Sequence, residues 1–408
     1  MTNDATPNPQ GALGRTAAAI RFEPSRLALL LLVLKGWALT VLTLGAYRFR
    51  ARAQRRAFFW QHTALAGERF EYDAASGDLF RAFLAQCAFA GPLALLVLGL
   101  LAFRSSLPLP ALLGAMAVAG LAAVFVYHLG VFRDRRLLIG HTVWRGIHGG
   151  LDGSPVAYAA MATAGWLGTV ASLGLAHPWL RQAAVRFVLN RARFGDRAVA
   201  CEPAAGPPVA AWLSVWLGGV VTLALFAVVN LEFLTLWFDG LRAASDGAMA
   251  GPTPNLLPLA ALAVPALLHV HYRVRAFGHL VNAVTLGRSA LSCDLPTGAL
   301  VGAVLAYWLA LAAVLAAALL ALHAGALEAA TRAEPLGWLP IVAAGLAVLA
   351  VRVVLRRVWL QVWLARLVTR RLVLDDVPAL ASVEHPGASL GPRLRRGAAG
   401  SQLAAEEA

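Results

Sequence analysis

Gly36-Trp37-Ala38-Leu39-Thr40-Val41-Leu42-Thr43-Leu44-Gly45 lies in an apolar run, 27–47. It returns 129 residues later, in the run 156–177, as Gly165-Trp166-Leu167-Gly168-Thr169-Val170-Ala171-Ser172-Leu173-Gly174. Six of the ten positions are identical, which is more than shared apolar character produces by chance. A basic segment follows each copy: Arg48, Arg50, Arg52, Arg55 and Arg56 after the first, and Arg181, Arg186, Arg191, Arg193 and Arg197 after the second. Apolar stretches alternating with arginine-rich ones read as membrane helices joined by basic loops.

Composition supports that reading. The 408 residues are 59% hydrophobic and 14% charged, against roughly a quarter charged in soluble domains. A bilayer accepts the surplus apolar surface, because hydrocarbon is then the solvent. The runs are 27–47, 79–103, 107–132, 156–177, 207–237, 256–271, 298–323 and 337–354. The connecting segments alternate between arginine-rich and charge-poor, which places the basic ones and the C-terminus in the cytoplasm of a multi-pass membrane protein. The expected fold is therefore an all-α polytopic membrane protein, with repeated units of apolar helices joined by short basic cytoplasmic connectors. The units are 20–155, 156–297 and a divergent 298–384, with disordered tails at 1–19 and 385–408. Runs 27–47 and 156–177 strain the scheme, since arginines flank both ends of each. They either span the membrane or enter and return, or lie along its surface, and the residues leave this open.

A second motif recurs in the basic segments: His or Asn, then Gly five residues on, then an acid six or seven further. It reads His62, Gly67, Asp73; His141, Gly146, Asp152; Asn190, Gly195, Glu202; and Asn282, Gly287, Asp294. A worn copy runs from Ala365-Arg366 through Arg370 to Asp376, and Arg21-Phe22-Glu23 matches Arg69-Phe70-Glu71. Each copy predicts a basic helix leaving the membrane, a turn at the Gly, where positive φ is free, and a short extended piece such as Arg69-Phe70-Glu71-Tyr72-Asp73. Repeats on this scale indicate a duplicated structural unit.

The stretch Leu39–Tyr47, the basic segment after it, Gly67-Glu68-Arg69-Phe70-Glu71-Tyr72-Asp73 and the later Ser172-Leu173-Gly174-Leu175-Ala176-His177-Pro178-Trp179 together resemble a bacterial inner-membrane family of unknown function typified by YjgN. The resemblance covers about residues 20–295 and departs in the third unit, which lacks a Leu-Gly motif. It implies a polytopic inner-membrane protein and supplies no activity, substrate or catalytic residue.

Chemistry is sparse. His269 and His271, or His128, His141 and His148, have no acid or thiol at ligand spacing, so neither metal nor cofactor is expected. Cys87, Cys201 and Cys293 form no disulfide framework. Nothing pairs a nucleophile with a base, and the chain is not expected to be an enzyme. The functional candidates are Lys35, the sole lysine, in an apolar run; Gly45 and Gly174; and Glu232, an acid near the outer end of run 207–237. The net charge of +14 points to anionic lipid headgroups as partners rather than nucleic acid, and a homo-oligomer is compatible with the small-residue patterns. Two functions remain: a transporter or channel-like protein built from repeats, or a non-transporting scaffold that binds anionic lipid through its arginines.

Overall fold

Every basic segment between apolar runs ends in a β-hairpin, and this overturns the all-α expectation. The computed structural model describes residues 18–203, 206–235, 255, 257–287, 289–332, 339–375 and 383. The hairpins are β3 (Thr63–Leu65) with β4 (Glu68–Tyr72), β5 (Thr142–Trp144) with β6 (Ile147–Leu151), β7 (Ala192–Phe194) with β8 (Arg197–Cys201), and β9 (Val284–Leu286) with β10 (Ser289–Cys293). Their turns use the motif glycines. Ala66-Gly67 and Arg145-Gly146 both hold positive φ, at 52° and 87° and at 53° and 73°, the pattern of a two-residue turn whose twist matches its strands. Gly195 and Gly287, at 59° and 61°, supply positive φ at the first turn position.

The hairpins do not stand alone as connectors. A buried extended backbone needs partners for its N–H and C=O groups, and each hairpin finds them in the next. All strands form one antiparallel sheet, ordered β1-β11-β10-β9-β8-β7-β6-β5-β4-β3-β2, where β1 is Ala18–Ala19, β2 is Arg21–Phe22 and β11 is Leu372–Leu374. Only Ile20 separates β1 from β2. Ala18 and Ala19 pair with Leu374 and Val373, while Arg21 and Phe22 pair with Ala64 and Thr63. One extended stretch, 18–22, thus receives both ends of the ladder, and the sheet closes on itself. Residues 18 and 19, expected in a disordered tail, belong to this seam.

Strand alternation fills the ring. Ile20, Leu65, Phe70, Trp144, Ile147, Phe194, Leu286, Leu291 and Leu374 form one cluster that draws on nearly every strand, while Arg69, Glu71, His148 and Arg193 lie on the opposite face.

Between strands the chain makes helical excursions that leave and return at the same end of the ring. They are α1 (Arg26–Leu42) with α2 (Arg48–Gln61), α3 (Ser76–Ala102) with α4 (Leu109–Gly140), α5 (Pro155–Ala171) with α6 (His177–Leu189), and α7 (Val209–Val229) with α8 (Ala263–Val281). The last joins α9 (Thr297–Arg332) to α10 (Leu339–Val354), a π-helical turn at Leu355–Leu360, and α11 (Gln361–Arg371), which feeds β11. Among the described residues, four helices are long and apolar enough to cross a membrane: Ser76–Ala102, Leu109–Gly140, Val209–Val229 and Thr297–His323.

The duplicated runs 27–47 and 156–177 are not among those four. In each, the helix breaks at the Leu-Gly pair and folds back antiparallel. Leu44 and Gly45 have φ of 49° and 95°, and Leu173 and Gly174 have 52° and 94°. The Gly45 N–H donates to Thr40 O at 2.7 Å and the Gly174 N–H to Thr169 O at 2.6 Å. One hydroxyl caps the next helix in each copy: Thr43 Oγ1 accepts from the Tyr47 N–H at 3.0 Å, and Ser172 Oγ from the Ala176 N–H at 2.9 Å. The returning arm lies against a glycine. A Cβ on Gly36 would stand 3.1 Å from Ala51 Cβ, and one on Gly165 would meet the side chain of Leu180. Residues 51 and 180 are again 129 apart, so the two like sequences adopt like hairpins. Its tips reach the first turns of α3 and α7. Thr43, Ala46 and Tyr47 share a groove with Ser76, Gly77 and Phe80, and the Trp212 and Trp216 indoles donate to Gly174 O at 3.0 Å and Leu173 O at 2.7 Å.

Ring closure is testable by oxidation. Directly opposed residues on antiparallel strands lie about 4.5–5.5 Å apart at Cα, within disulfide reach. With Cys87, Cys201 and Cys293 replaced by Ala, the pair Ala19→Cys and Val373→Cys is expected to cross-link, and so is Arg21→Cys with Ala64→Cys. An open sheet would let one pair form and leave the other reduced.

Candidate functional site

The α2 helix carries Arg48, Arg52, Arg55, Arg56 and Phe59 at spacings that fall on one stripe. That stripe is only partly turned to solvent: Arg48 and Arg52 are exposed, and Arg55, Arg56 and Phe59 are half-buried. It forms one wall of a cavity of 1090 Å³ closed by Leu79, Phe83 and Gln86 of α3, by Tyr127, Arg133 and Asp134 of α4, and by Arg357 and Gln361 around the π-helical turn. A π turn widens the helix locally and often marks a functional position. Here it brings residue 357 to a wall built by residues 48–134.

Six guanidinium groups line this space, and one carboxylate answers them. Asp134 binds Arg52 Nη2 at 2.8 Å and Arg56 Nη2 at 3.0 Å. Arg56 is held further by Tyr72, whose hydroxyl accepts from Nη1 at 3.0 Å, and its side chain is only 13% exposed. Arg48 lies over the Phe83 ring at 4.2 Å, and Arg133 over Phe89 at 5.2 Å. Arg55 has no carboxylate partner among the described residues. Burial, followed by the charges of Arg357, Arg52 and Arg56, pulls its pKa down to about 10. Burial and then Arg356 and Arg52 act in the same direction on Arg357. Both stay charged at neutral pH, so the cavity holds desolvated positive charge that an anion would relieve.

Two further wall atoms are buried without hydrogen-bond partners, Arg133 Nη1 and Gln86 Oε1. Gln86 reaches across to α4, donating from Nε2 to Val126 O at 2.6 Å. It fits because residue 130 is glycine: a Cβ there would stand 2.9 Å from Gln86 Cδ.

At the second hairpin, burial and then Arg273 lower the pKa of Arg181, whose Nε is buried without a hydrogen-bond partner among the described residues. Arg48 and Arg52 correspond to His177 and Arg181 at the 129-residue offset, and aromatic rings occupy the neighbourhood. The His177 ring stacks on Trp212 at 4.5 Å, and Tyr272 packs 5.1 Å from Trp212. Burial, then Arg181 and His269, holds His177 below its ordinary pKa.

The residues singled out from sequence sit elsewhere. Lys35 is exposed on α1 and Glu232 is exposed just past α7, and neither touches the arginine cavity. Beside Glu232, buried Asn230 donates from Nδ2 to Asn255 O at 3.0 Å. Gly45 and Gly174 are the hairpin hinges described above. The repeat motif fastens the ring. The backbone N–H of the acid reaches the helix end of the next unit: Glu23 to His62 O, Asp73 to His141 O, Asp152 to Arg191 O and Glu202 to Ala283 O. Glu23 is therefore the counterpart of Asp73, and the sequence match of 21–23 with 69–71 is two residues out of register. Asn190 and Asn282 play one role, their Oδ1 accepting the Cys201 and Cys293 N–H at 2.7 Å. His62 instead turns inward to Phe58 O. Asp294 is exposed just after β10, and Asp376 of the worn copy lies outside the described residues.

Asp73 also receives two side chains, His141 Nδ1 at 2.8 Å and His148 Nε2 at 3.1 Å. Burial pushes the Asp73 carboxyl up, but hydrogen bonds from His141 and His148 outweigh it and hold the group below its ordinary value. No group of three or more His, Cys, Asp or Glu among the described residues is placed to hold a metal.

Four membrane-length apolar helices on a ring of β-hairpins are compatible with a membrane-associated class of protein and assign it no chemistry. The chain belongs to a bacterial family described as bacterial protein of unknown function (DUF898), whose model matches residues 17–385. Comparison with curated proteins and with solved structures finds no match.

A carboxylate held below its ordinary pKa stabilises the fold at neutral pH and loses that contribution as pH falls through the lowered value. Asp73→Asn is therefore expected to melt at a lower temperature than wild type at pH 7, with the gap narrowing below about pH 4. A gap that stayed constant from pH 7 to 3 would show that the His141–Asp73–His148 contact contributes nothing through its charge.

Proposed function

We propose that this protein crosses the bacterial inner membrane several times and binds an anionic group in the arginine cavity at the cytoplasmic boundary. The observation that carries the reading is Arg55, a half-buried guanidinium crowded by three others with no carboxylate partner among the described residues. Guanidinium groups at such density suit phosphate or carboxylate oxygens, which accept paired N–H donors. Orientation follows from charge. The hairpin ring and the ring-proximal parts of α2, α4, α6, α8 and α11 carry most of the arginines, and basic segments stay inside, which also leaves β11 and the C-terminus in the cytoplasm. The apolar tips of the duplicated hairpins would then enter only the near interface, level with the first turns of α3 and α7.

Binding is favoured over catalysis, because the one acid in the cavity is already held by two arginines and no nucleophile stands beside it. Transport is the second reading. What favours it is the pair of broken hairpins, since irregular backbone at membrane depth is tolerated only against protein or water. Their shared geometry also supports duplication of a structural unit.

Two measurements test these statements. In a variant whose native cysteines are replaced by Ala, Asp196→Cys in the β7–β8 turn is expected to react with a membrane-impermeant maleimide only after lysis. Labelling of intact cells would invert the orientation. Pyrophosphate is expected to raise the melting temperature of the purified protein, by the equivalent of about 2.7 kcal/mol at a hundredfold excess over Kd. Arg55→Gln should abolish that shift without lowering the unliganded melting temperature, because it removes a charge the others repel. If Arg55→Gln melted lower and still responded to pyrophosphate, Arg55 would be a structural residue and the anion site would lie elsewhere.

A further inference from the structure

The cavity's walls say more about its ligand than the sign of its charge. Six arginines against one aspartate leave five positive charges uncompensated by the wall. A carboxylate or a single phosphate monoester carries at most two negative charges and would leave most of that field in place. A chloride-sized ion would also leave most of the 1090 Å³ unfilled.

The lining mixes charge and apolar surface along the helices, with Arg48 over the Phe83 ring and Arg133 over Phe89. Arg133, Asp134 and Arg357 mark one end. Moving up α4 toward its apolar half, the wall becomes Val131, Gly130 and Tyr127, and on α3 it passes from Leu79 to Ala82 and Phe83. Both helices belong to the four of membrane-crossing length. The upper wall is open to the outside, with Phe83 38% and Tyr127 65% exposed, and so is the rim at Arg52, whose side chain is 49% exposed. The opening therefore faces the level of the acyl chains as much as the cytoplasm. Within the wall, buried Arg133 Nη1 is a donor without a partner and buried Gln86 Oε1 an acceptor without one. Unpaired buried polar atoms are costly, and here both line one space, where a headgroup bearing phosphate and hydroxyl oxygens would satisfy them.

We infer that the ligand is a membrane-resident amphiphile whose headgroup carries two or more phosphates, entering sideways between α2 and the α3–α4 pair. This rests on the anion-binding reading and narrows it. The phosphates occupy the space between Arg55, Arg133 and Arg357, and the chain lies along Phe83 and Tyr127 into the bilayer.

The test separates head from tail. The full chain is placed in phosphatidylcholine nanodiscs and titrated with farnesyl diphosphate, farnesyl monophosphate, farnesol and inorganic pyrophosphate. Binding to Arg55→Gln nanodiscs is the baseline for simple partitioning. Farnesyl diphosphate is expected to bind at least about tenfold more tightly than the monophosphate or pyrophosphate, a difference of about 1.4 kcal/mol. Arg357→Gln should erase the preference for two phosphates, and Tyr127→Ala should weaken the farnesyl compounds while sparing pyrophosphate. The pair guards against a variant that fails to fold. Pyrophosphate binding as tightly as farnesyl diphosphate would overturn the amphiphile and leave the anion site standing. Equal affinity for the mono- and diphosphate would overturn the phosphate count. Failure of every phosphate-bearing probe to exceed the baseline would remove the anion site itself.

Discussion

The closed antiparallel ladder is the constraint on which everything else depends. Because strand order around the ring follows chain order, each helical excursion must depart from one strand and land on its neighbour. The excursions can differ in length and depth, as the short α1–α2 and the long α3–α4 pairs do, provided their feet stay about one strand spacing apart. The hydrogen bonds from Glu23, Asp73, Asp152 and Glu202 to the next helix end set that spacing. The inner cluster around Trp144 makes the ring a solid body rather than a flexible hoop.

On that platform, two copies of one hairpin have met different fates. In the second, tryptophan indoles satisfy the free carbonyls at the tip and aromatic rings fill the space behind it. In the first, that space is kept open and lined by arginines, of which Arg55, Arg56, Arg133 and Arg357 are half-buried. A fold that needed only stability would have filled both, since apolar side chains replace buried charge at little or no loss. The retained cavity is where the two halves diverge, and the divergence is local to α2, α4 and the π turn.

Much of this was legible in sequence, and the gaps have physical causes. The copied hairpin was visible at the 129-residue offset, and the motif glycines marked turns because positive φ excludes most side chains. Phe70 and Tyr72 announced an extended segment by their alternation. What alternation in five residues cannot announce is the partner strand: the pairing of Phe70 with Trp144, or of Ala18 with Leu374, spans tens to hundreds of residues. Short strands between long apolar runs therefore looked like connectors. The arginines were noticed as a headgroup-facing cluster. Their i, i+4, i+7 spacing is equally that of a solvated face, and only the arrival of Arg357 and Arg133 turns the stripe into a wall. Lys35 and Glu232 drew attention by being rare in apolar runs, and both reach the surface.

The seam at residues 18–22 has a consequence for how the molecule is made. Its strand emerges from the ribosome before every other strand of the ring, and its partner at 372–374 after all of them. Throughout synthesis the growing sheet carries two unpaired edges, one at each end of an incomplete arc. Every intermediate is thus recognisable by exposed strand backbone, the feature chaperones and proteases read, until the last strand arrives and both edges vanish in one step. Completion of the ring acts as a check that every one of its strands has been delivered.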